Sequence, residues 1–196
     1  GVQTCALPIY ILDSKKVTLS LEVFPPKQQS KFDSVVAATK ELAELKPDFM
    51  SITYGAGGTT KVNTVEIASK IQSFNTPALA HLTCVGNTKE SIQATIQELK
   101  DEKIENVLAL RGDMPQNLAE GQSATVQGLE HANQLVSILK EAGFCVGGAC
   151  YPEGHPESKN RADDIDNLHY KVDAGVDFLT TQMFFDNNIF YNFLYR

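Results

Sequence analysis

Tryptophan is absent from the 196 residues, and methionine occurs three times. Cysteine occurs four times, too sparsely in a chain of this length for a disulfide scaffold. Basic residues are outnumbered: 17 Lys and Arg stand against 24 Asp and Glu, for a net charge of −7. A nucleic-acid binder carries the opposite sign or a dense basic patch, so no nucleic-acid partner is expected. No uncharged apolar run reaches the roughly 18 residues that a membrane span requires, so no membrane partner is expected either. No Gly-x-Gly-x-x-Gly follows the first predicted strand, which weighs against a dinucleotide-binding doubly wound sheet. What remains is ordinary: 42% apolar and 21% charged residues, the composition of one globular domain able to bury its own core.

Residues 1–16 are set aside as a lead-in, either non-native or irregular. The run 6–12 is apolar, but the first Lys is Lys15, and a signal peptide would need a basic start and a small-residue cleavage site. The opening GVQTCALPI is expected to be foreign to the natural sequence. There is no initiating Met, and the chain ends at Tyr195–Arg196 inside an expected helix, so both ends read as cut.

Residues 17–196 read as alternating strands and helices. Strands are expected at 17–23, 48–54, 77–83, 106–110, 144–150 and 176–181, each β-branched or apolar and bounded by turn residues. Helices are expected at 31–45, 60–74, from the Thr88 cap onward, at 129–142 and at 158–174, with Gly143 and Gly175 as stops. The strand ends recur about every 30 residues, except where the polar stretch 112–128 adds a long loop. Such βα units imply a parallel sheet with helical crossovers. An open doubly wound sheet or a (βα)8 TIM barrel fits. Six units plus two would reach the roughly 250 residues of a typical barrel, so the expectation is an α/β barrel with about six of eight units present. Lacking two strands, it is expected to expose sheet edges and to be poorly stable.

A barrel builds its site at the carboxyl ends of its strands. Those ends carry Glu22, Thr53 and Tyr54, then His81 and Thr83, then Arg111–Gly112–Asp113, then Tyr151, Glu153 and His155, then Gln182. Glu22, between Leu21 and Val23, is either a solvated strand-end carboxylate or a general acid whose pKa is raised by apolar walls including Phe24. Arg111 suits a phosphate or carboxylate, with Gly112 admitting close backbone approach. His81 reads equally as a core histidine or a ligand contact, while His131 and His169 read by default as helix-surface residues. Cys145 and Cys150 fall on opposite faces of one strand, and with Cys84 they make no metal-ligand spacing, so no metal is expected.

The strings SLEVFPPK, SITYGAGG, HLTC, ALRGDMP, YPEGHPE and KVDAGVDFLTTQMFFD, in this order, resemble the methylenetetrahydrofolate reductases of bacterial type. The resemblance runs from residue 18 to about residue 186. It implies a (βα)8 barrel holding FAD that reduces 5,10-methylenetetrahydrofolate to 5-methyltetrahydrofolate with NADH or NADPH, by ping-pong hydride transfer, feeding methionine synthesis. By matching position it implies that Glu22 is the general acid and that Asp113 is the carboxylate beside flavin and pterin. Thr53 would contact nicotinamide, and Gln182 the pterin and nicotinamide. The FAD cradle would comprise Tyr54, Ala56, His81, Arg111, Gly112, Ala132, Tyr151, His155, Asp164, Asn167 and Lys171, together with His131, which falls where relatives often place an aromatic flavin contact. It further implies a cytoplasmic homo-oligomer when full length. Two other readings remain open: an inactive barrel fragment, and another (βα)8 flavoenzyme of the proline dehydrogenase type, which the FPP, RGD and YPEGHPE strings disfavour.

Overall fold

In the computed structural model, the structure describes residues 8–14, 17–26, 28–54, 58–114, 125 and 128–196. Six strands appear among them: β1 (Ser20–Val23), β2 (Phe49–Ile52), β3 (Ala78–Thr83), β4 (Asn106–Leu110), β5 (Cys145–Cys150) and β6 (Phe178–Thr181). They form one parallel sheet in chain order, β1-β2-β3-β4-β5-β6. A doubly wound sheet reverses its strand order at a switch point. This one never does, so of the two expected architectures the barrel order is realised. Among the described residues β1 pairs only with β2 and β6 only with β5.

Helices α2 (Phe32–Glu44), α3 (Gly58–Ser73), α4 (Lys89–Asp101), α5 (Ala132–Glu141) and α6 (Arg161–Asp173) make the crossovers, and α7 (Asn187–Tyr195) follows β6. Their starts are chemically specified. The Thr88 hydroxyl accepts from Ser91 N–H at 3.1 Å while Thr88 N–H donates to Ser91 Oγ at 2.9 Å, a reciprocal cap with Ser in the third position. Asn160 Oδ1 accepts from Ala162 N–H and Asp163 N–H at 2.9 and 3.0 Å, and Asp163 and Asp164 complement the dipole of that first turn. The predicted stops hold: Gly143 and Gly175 have φ of +92° and +102°, values that favour glycine.

Two differences from the sequence expectations stand out. The lead-in is not irregular throughout, since residues 8–14 form a short helix, α1 (Pro8–Ser14). Proline suits a first helical position, and the Ser14 hydroxyl donates to Ile11 O at 3.1 Å. Strands β1, β2 and β6 are also shorter than predicted, four residues each. Apolar patterning marks which residues are buried, whereas the regular ladder is shorter; single backbone bonds such as Asp48 N–H to Leu19 O at 2.8 Å continue past it.

The sheet has two unlike faces. The face under the helices carries Val23, Met50, Ile52, Ala78, Ala80, Leu82, Val107, Ala109 and Val146. They pack with Ile67 and Ile71 of α3, Ile92 and Leu99 of α4, and Leu135 and Leu139 of α5. Each fully buried aliphatic side chain contributes about 1.5–3 kcal/mol, so this layer supplies most of the stability. The opposite face holds a smaller cluster of Leu79, Leu108, Cys145 and Phe178, flanked by Phe49 and Leu110. Gly147 makes that cluster possible. A Cβ there would lie 2.5 Å from Phe178 Cζ and 2.9 Å from Leu108 Cδ1. Gly147→Ala is therefore expected to destabilise the chain by about 1–3 kcal/mol through overpacking. Thermal unfolding followed by circular dichroism checks this, and an unchanged midpoint would contradict the packing described.

Candidate functional site

Parallel pairing points the carboxyl end of every strand to one rim, and backbone bonds past the strand ends sew that rim together. Thr53 N–H donates to Val23 O at 3.1 Å, Val85 N–H to Arg111 O at 2.8 Å, and Gln182 N–H to Cys150 O at 2.7 Å. Glu22 pairs in register with Ser51, and His81 with Leu108. The face that is apolar at Leu79, Leu108 and Phe178 thus turns polar toward the rim.

The expected residues fall into three groups around it. On β1, Glu22 is exposed, yet partial burial raises its pKa above the ordinary carboxylate value. Phe24, two residues on, is 66% exposed. Between β2 and β3, Tyr54 OH donates to Asn87 Oδ1 at 3.2 Å, and Asn87 Nδ2 donates to Thr83 O at 2.9 Å. The Thr53 carbonyl accepts from Thr64 Oγ1 at 3.1 Å. Ala56 lies outside the described residues. His81, 8% exposed, is a buried residue of β3, and burial pushes its pKa down to about 4.

The densest group lies between β4 and α6. Arg111 follows β4 and forms a two-pronged ion pair with Glu157, Nη1 to Oε2 at 2.5 Å and Nη2 to Oε1 at 2.8 Å. Gly112 has φ +85°, and a Cβ there would meet Thr83 Cβ at 3.0 Å, so β4 and β3 approach closely where Asp113 begins to leave the sheet. Asp113 is exposed. Tyr151 and His155 meet edge to face with ring centroids 4.7 Å apart. His155 Nδ1 accepts from Glu157 N–H at 3.1 Å, which leaves its Nε2 as the protonated nitrogen of the neutral ring. Burial raises the Tyr151 pKa; Arg111 opposes this, and Asp113 and Asp164 add to it, so all four share one electrostatic neighbourhood.

Lys171, on α6, donates to Ala149 O at 2.5 Å. Its stem passes over Gly148, where a Cβ would lie 2.7 Å from Lys171 Cδ. Burial lowers its pKa, while Cys150 and Asp164 oppose that shift. Asp164 accepts from Ser158 Oγ at 3.1 Å. Asn167 shares the helix but is exposed. His131 is exposed at the N-terminus of α5, its N–H donating to Gln134 Oε1 at 2.9 Å and its carbonyl facing Cys84 Sγ at 3.4 Å. Ala132 is buried, so its side chain is committed to packing. Gln182 is exposed at the end of β6. Burial pushes the Cys84 and Cys150 thiols up to about 12 and about 11, far from the thiolate range at neutral pH.

Three residues at this rim were not singled out from the sequence. Glu157 sits in YPEGHPE, beside the candidates Tyr151, Glu153 and His155. Asn87 looks like a plain turn residue, and Ser158 like the first residue of the helix expected at 158–174, which the structure starts at Arg161. Their roles depend on partners 46, 33 and 6 positions away, and the two long-range pairings leave no local signal.

The donor set can be tested against a flavin dinucleotide. Arg111 and Lys171 supply two cations for a diphosphate, Asp164 a carboxylate for ribose hydroxyls, and Tyr151 and His155 ring edges. The space a Gly112 side chain would need is taken by Thr83 and Val85, so the glycine serves the approach of β3 and β4. These residues fit such a cofactor. Fold and rim together define a barrel protein of (βα)8 type with a polar site at the carboxyl ends of its strands.

Comparison with known proteins specifies it further. The family described as methylenetetrahydrofolate reductase matches residues 9–196. A 5,10-methylenetetrahydrofolate reductase of Pectobacterium carotovorum is 37% identical over 173 residues, covering 87% of this chain and 56% of that protein. The Escherichia coli K12 enzyme of the same name is 35% identical with the same coverage. Methylenetetrahydrofolate reductase (NADH) 1 of Arabidopsis thaliana is 34% identical over 202 residues, covering 94% of this chain and 33% of that protein. The chain belongs to the methylenetetrahydrofolate reductase family, and it spans about half the length of the bacterial relatives it matches. Among solved structures, a Clostridium thermocellum protein described as binding two copies of 5-methyl-5,6,7,8-tetrahydrofolic acid has a TM-score of 0.63 at 14% identity, covering 96% of this chain and 62% of that one. A 2,3-dimethylmalate lyase of the PEP mutase/isocitrate lyase superfamily has the same TM-score at 9% identity, covering 96% and 65%. At these identities the likeness concerns the fold alone. No helix among the described residues is long and apolar enough to cross a membrane.

The depressed pKa of His81 carries a stability consequence. Between its unfolded value of 6.5 and its folded value of about 4, the unfolded chain binds a proton that the native chain does not. Stability therefore falls as pH drops through that window, by at most about 1.4 kcal/mol per pH unit. Urea midpoints at pH 6.5, 5.5 and 4.5 measure the slope, and His81→Gln should flatten it. An equal slope in the variant would assign the effect to other groups.

Proposed function

We propose that this chain carries the flavin site of an enzyme that reduces 5,10-methylenetetrahydrofolate to 5-methyltetrahydrofolate, with NADH or NADPH as the electron source. The observation that carries the reading is the convergence of Arg111, Asp113, Tyr151, His155, Asp164 and Lys171 on one arc of the rim, in a chain of this family. FAD bound there supplies two-electron hydride chemistry between nicotinamide and folate.

The chain's own residues do the rest. Arg111 and Lys171 hold the diphosphate, and Asp164 orients a ribose hydroxyl. Asn167, Tyr54, His81, His155 and backbone at Ala56, Gly112, His131 and Ala132 complete the cradle. His81 stays neutral at working pH, so it contacts the cofactor without adding charge to a buried position. Glu22 is the general acid. Its raised pKa keeps a fraction of the carboxyl protonated toward neutral pH, so it can donate to the folate ring nitrogen and open the five-membered ring to an iminium. Asp113 faces the developing cation and stabilises it electrostatically. Gln182 and Thr53 position pterin and nicotinamide. The product would serve methionine synthesis in the cytoplasm, and the complete protein is read as a homo-oligomer.

Two expectations test this. Purified chain incubated with FAD should show a flavin absorbance band that bleaches anaerobically with NADH and returns on adding methylenetetrahydrofolate. Failure to take up FAD, or bleaching with no folate response, would falsify the reading. Glu22→Gln should retain nicotinamide bleaching and slow the folate half-reaction by about 10²–10⁴-fold, the usual range for general acid–base catalysis. In the parent chain that half-reaction should slow as pH rises through the Glu22 pKa, because the protonated form is the active one. The variant should lack this limb of the profile, and a limb that survived the substitution would move the acid elsewhere.

A further inference from the structure

Arg111 has one outward-facing fork, and Glu157 occupies it. Both terminal nitrogens donate to the two carboxylate oxygens, at 2.5 and 2.8 Å, while Nε approaches only Gly112 O at 3.4 Å. A diphosphate engages a guanidinium through the same planar fork. We propose that Glu157 and the cofactor's diphosphate compete for the Nη1 and Nη2 groups of Arg111, so that Glu157 is a displaceable internal counter-ion that sets how readily the site accepts a phosphorylated ligand. The inference rests on the flavin reading above and adds to it a residue that opposes binding.

The two partners are not equally anchored. The Arg111 side chain is 27% exposed and that of Glu157 57%. The Arg111 carbonyl is fixed to Val85 N–H at 2.8 Å, at the end of a central strand. Glu157 stands in the β5–α6 loop. Its carboxylate is the more exposed and better hydrated member, so it is the one to swing out. Its departure need not disturb His155, because the bond to His155 Nδ1 comes from the Glu157 backbone N–H and not from the carboxylate. Exposed ion pairs are weak and readily exchanged, as a displaceable counter-ion requires.

Calorimetric titration of the parent chain, Glu157→Gln and Glu157→Asp with inorganic pyrophosphate, FAD and riboflavin tests this. Glu157→Gln should bind pyrophosphate and FAD about fivefold more tightly, the gain expected from removing one exposed ion pair. Riboflavin, which carries the ring system without phosphate, should bind equally to both. Glu157→Asp retains the competing charge and should stay near the parent. Equal or weaker pyrophosphate binding by Glu157→Gln overturns the competition, as does an equal gain for riboflavin or the absence of pyrophosphate binding in all three proteins. A pyrophosphate gain with neither FAD nor riboflavin bound upholds the competition and overturns the flavin reading instead.

Discussion

Every side chain at the rim owes its place to parallel pairing in unbroken chain order. A parallel ladder forces each strand to begin again at the same edge, so each connection must cross the sheet, and here helices make the crossings. The carboxyl ends of β1 to β6 therefore all open on one side. Residues as distant in sequence as Glu22, Arg111 and Lys171 come to a shared edge without any loop being asked to fold around a ligand. The apolar layer beneath the helices supports this arrangement, because its burial fixes strand register and register fixes which side chains face inward.

The inner face divides the work along its length. Leu79, Leu108, Cys145 and Phe178 seal the middle of the sheet, while His81 and the residues beyond the strand ends bring polarity to the top. That boundary explains the contrasting electrostatics. His81 lies at the apolar limit and is kept neutral by burial. Arg111, a little farther out, is charged at any working pH, and its hydrogen bonds to Glu157 raise its pKa further. The rim therefore sets the cations Arg111 and Lys171 among the carboxylates Glu22, Asp113, Glu157 and Asp164.

Much of this was legible in the sequence. The six strands, the Thr88 cap and the Gly143 and Gly175 stops follow from β-branched runs and turn chemistry that act within a few residues. The rim residues were legible too, because the barrel expectation says where to look and the six strings say what to expect there. What stayed hidden depends on contacts between distant segments. The ladder lengths of β1, β2 and β6, the exposure of Phe24 beside Glu22, and the partnerships of Asn87 and Glu157 are properties of neighbouring units. The helix at residues 8–14 is hidden for another reason: seven residues are too few for a periodic signal.

The path of Lys171 bears on how such sites can be moved between proteins. Its ammonium reaches the Ala149 carbonyl only because β5 has no side chain at Gly148. The cation is thus owned jointly by a helix and by a strand that precedes it. Transplanting the β5–α6 loop and helix into another barrel would carry the lysine but not its resting place, since any larger residue at the strand position would turn the stem aside. The smallest portable unit of this site is a strand with its following helix, not a loop.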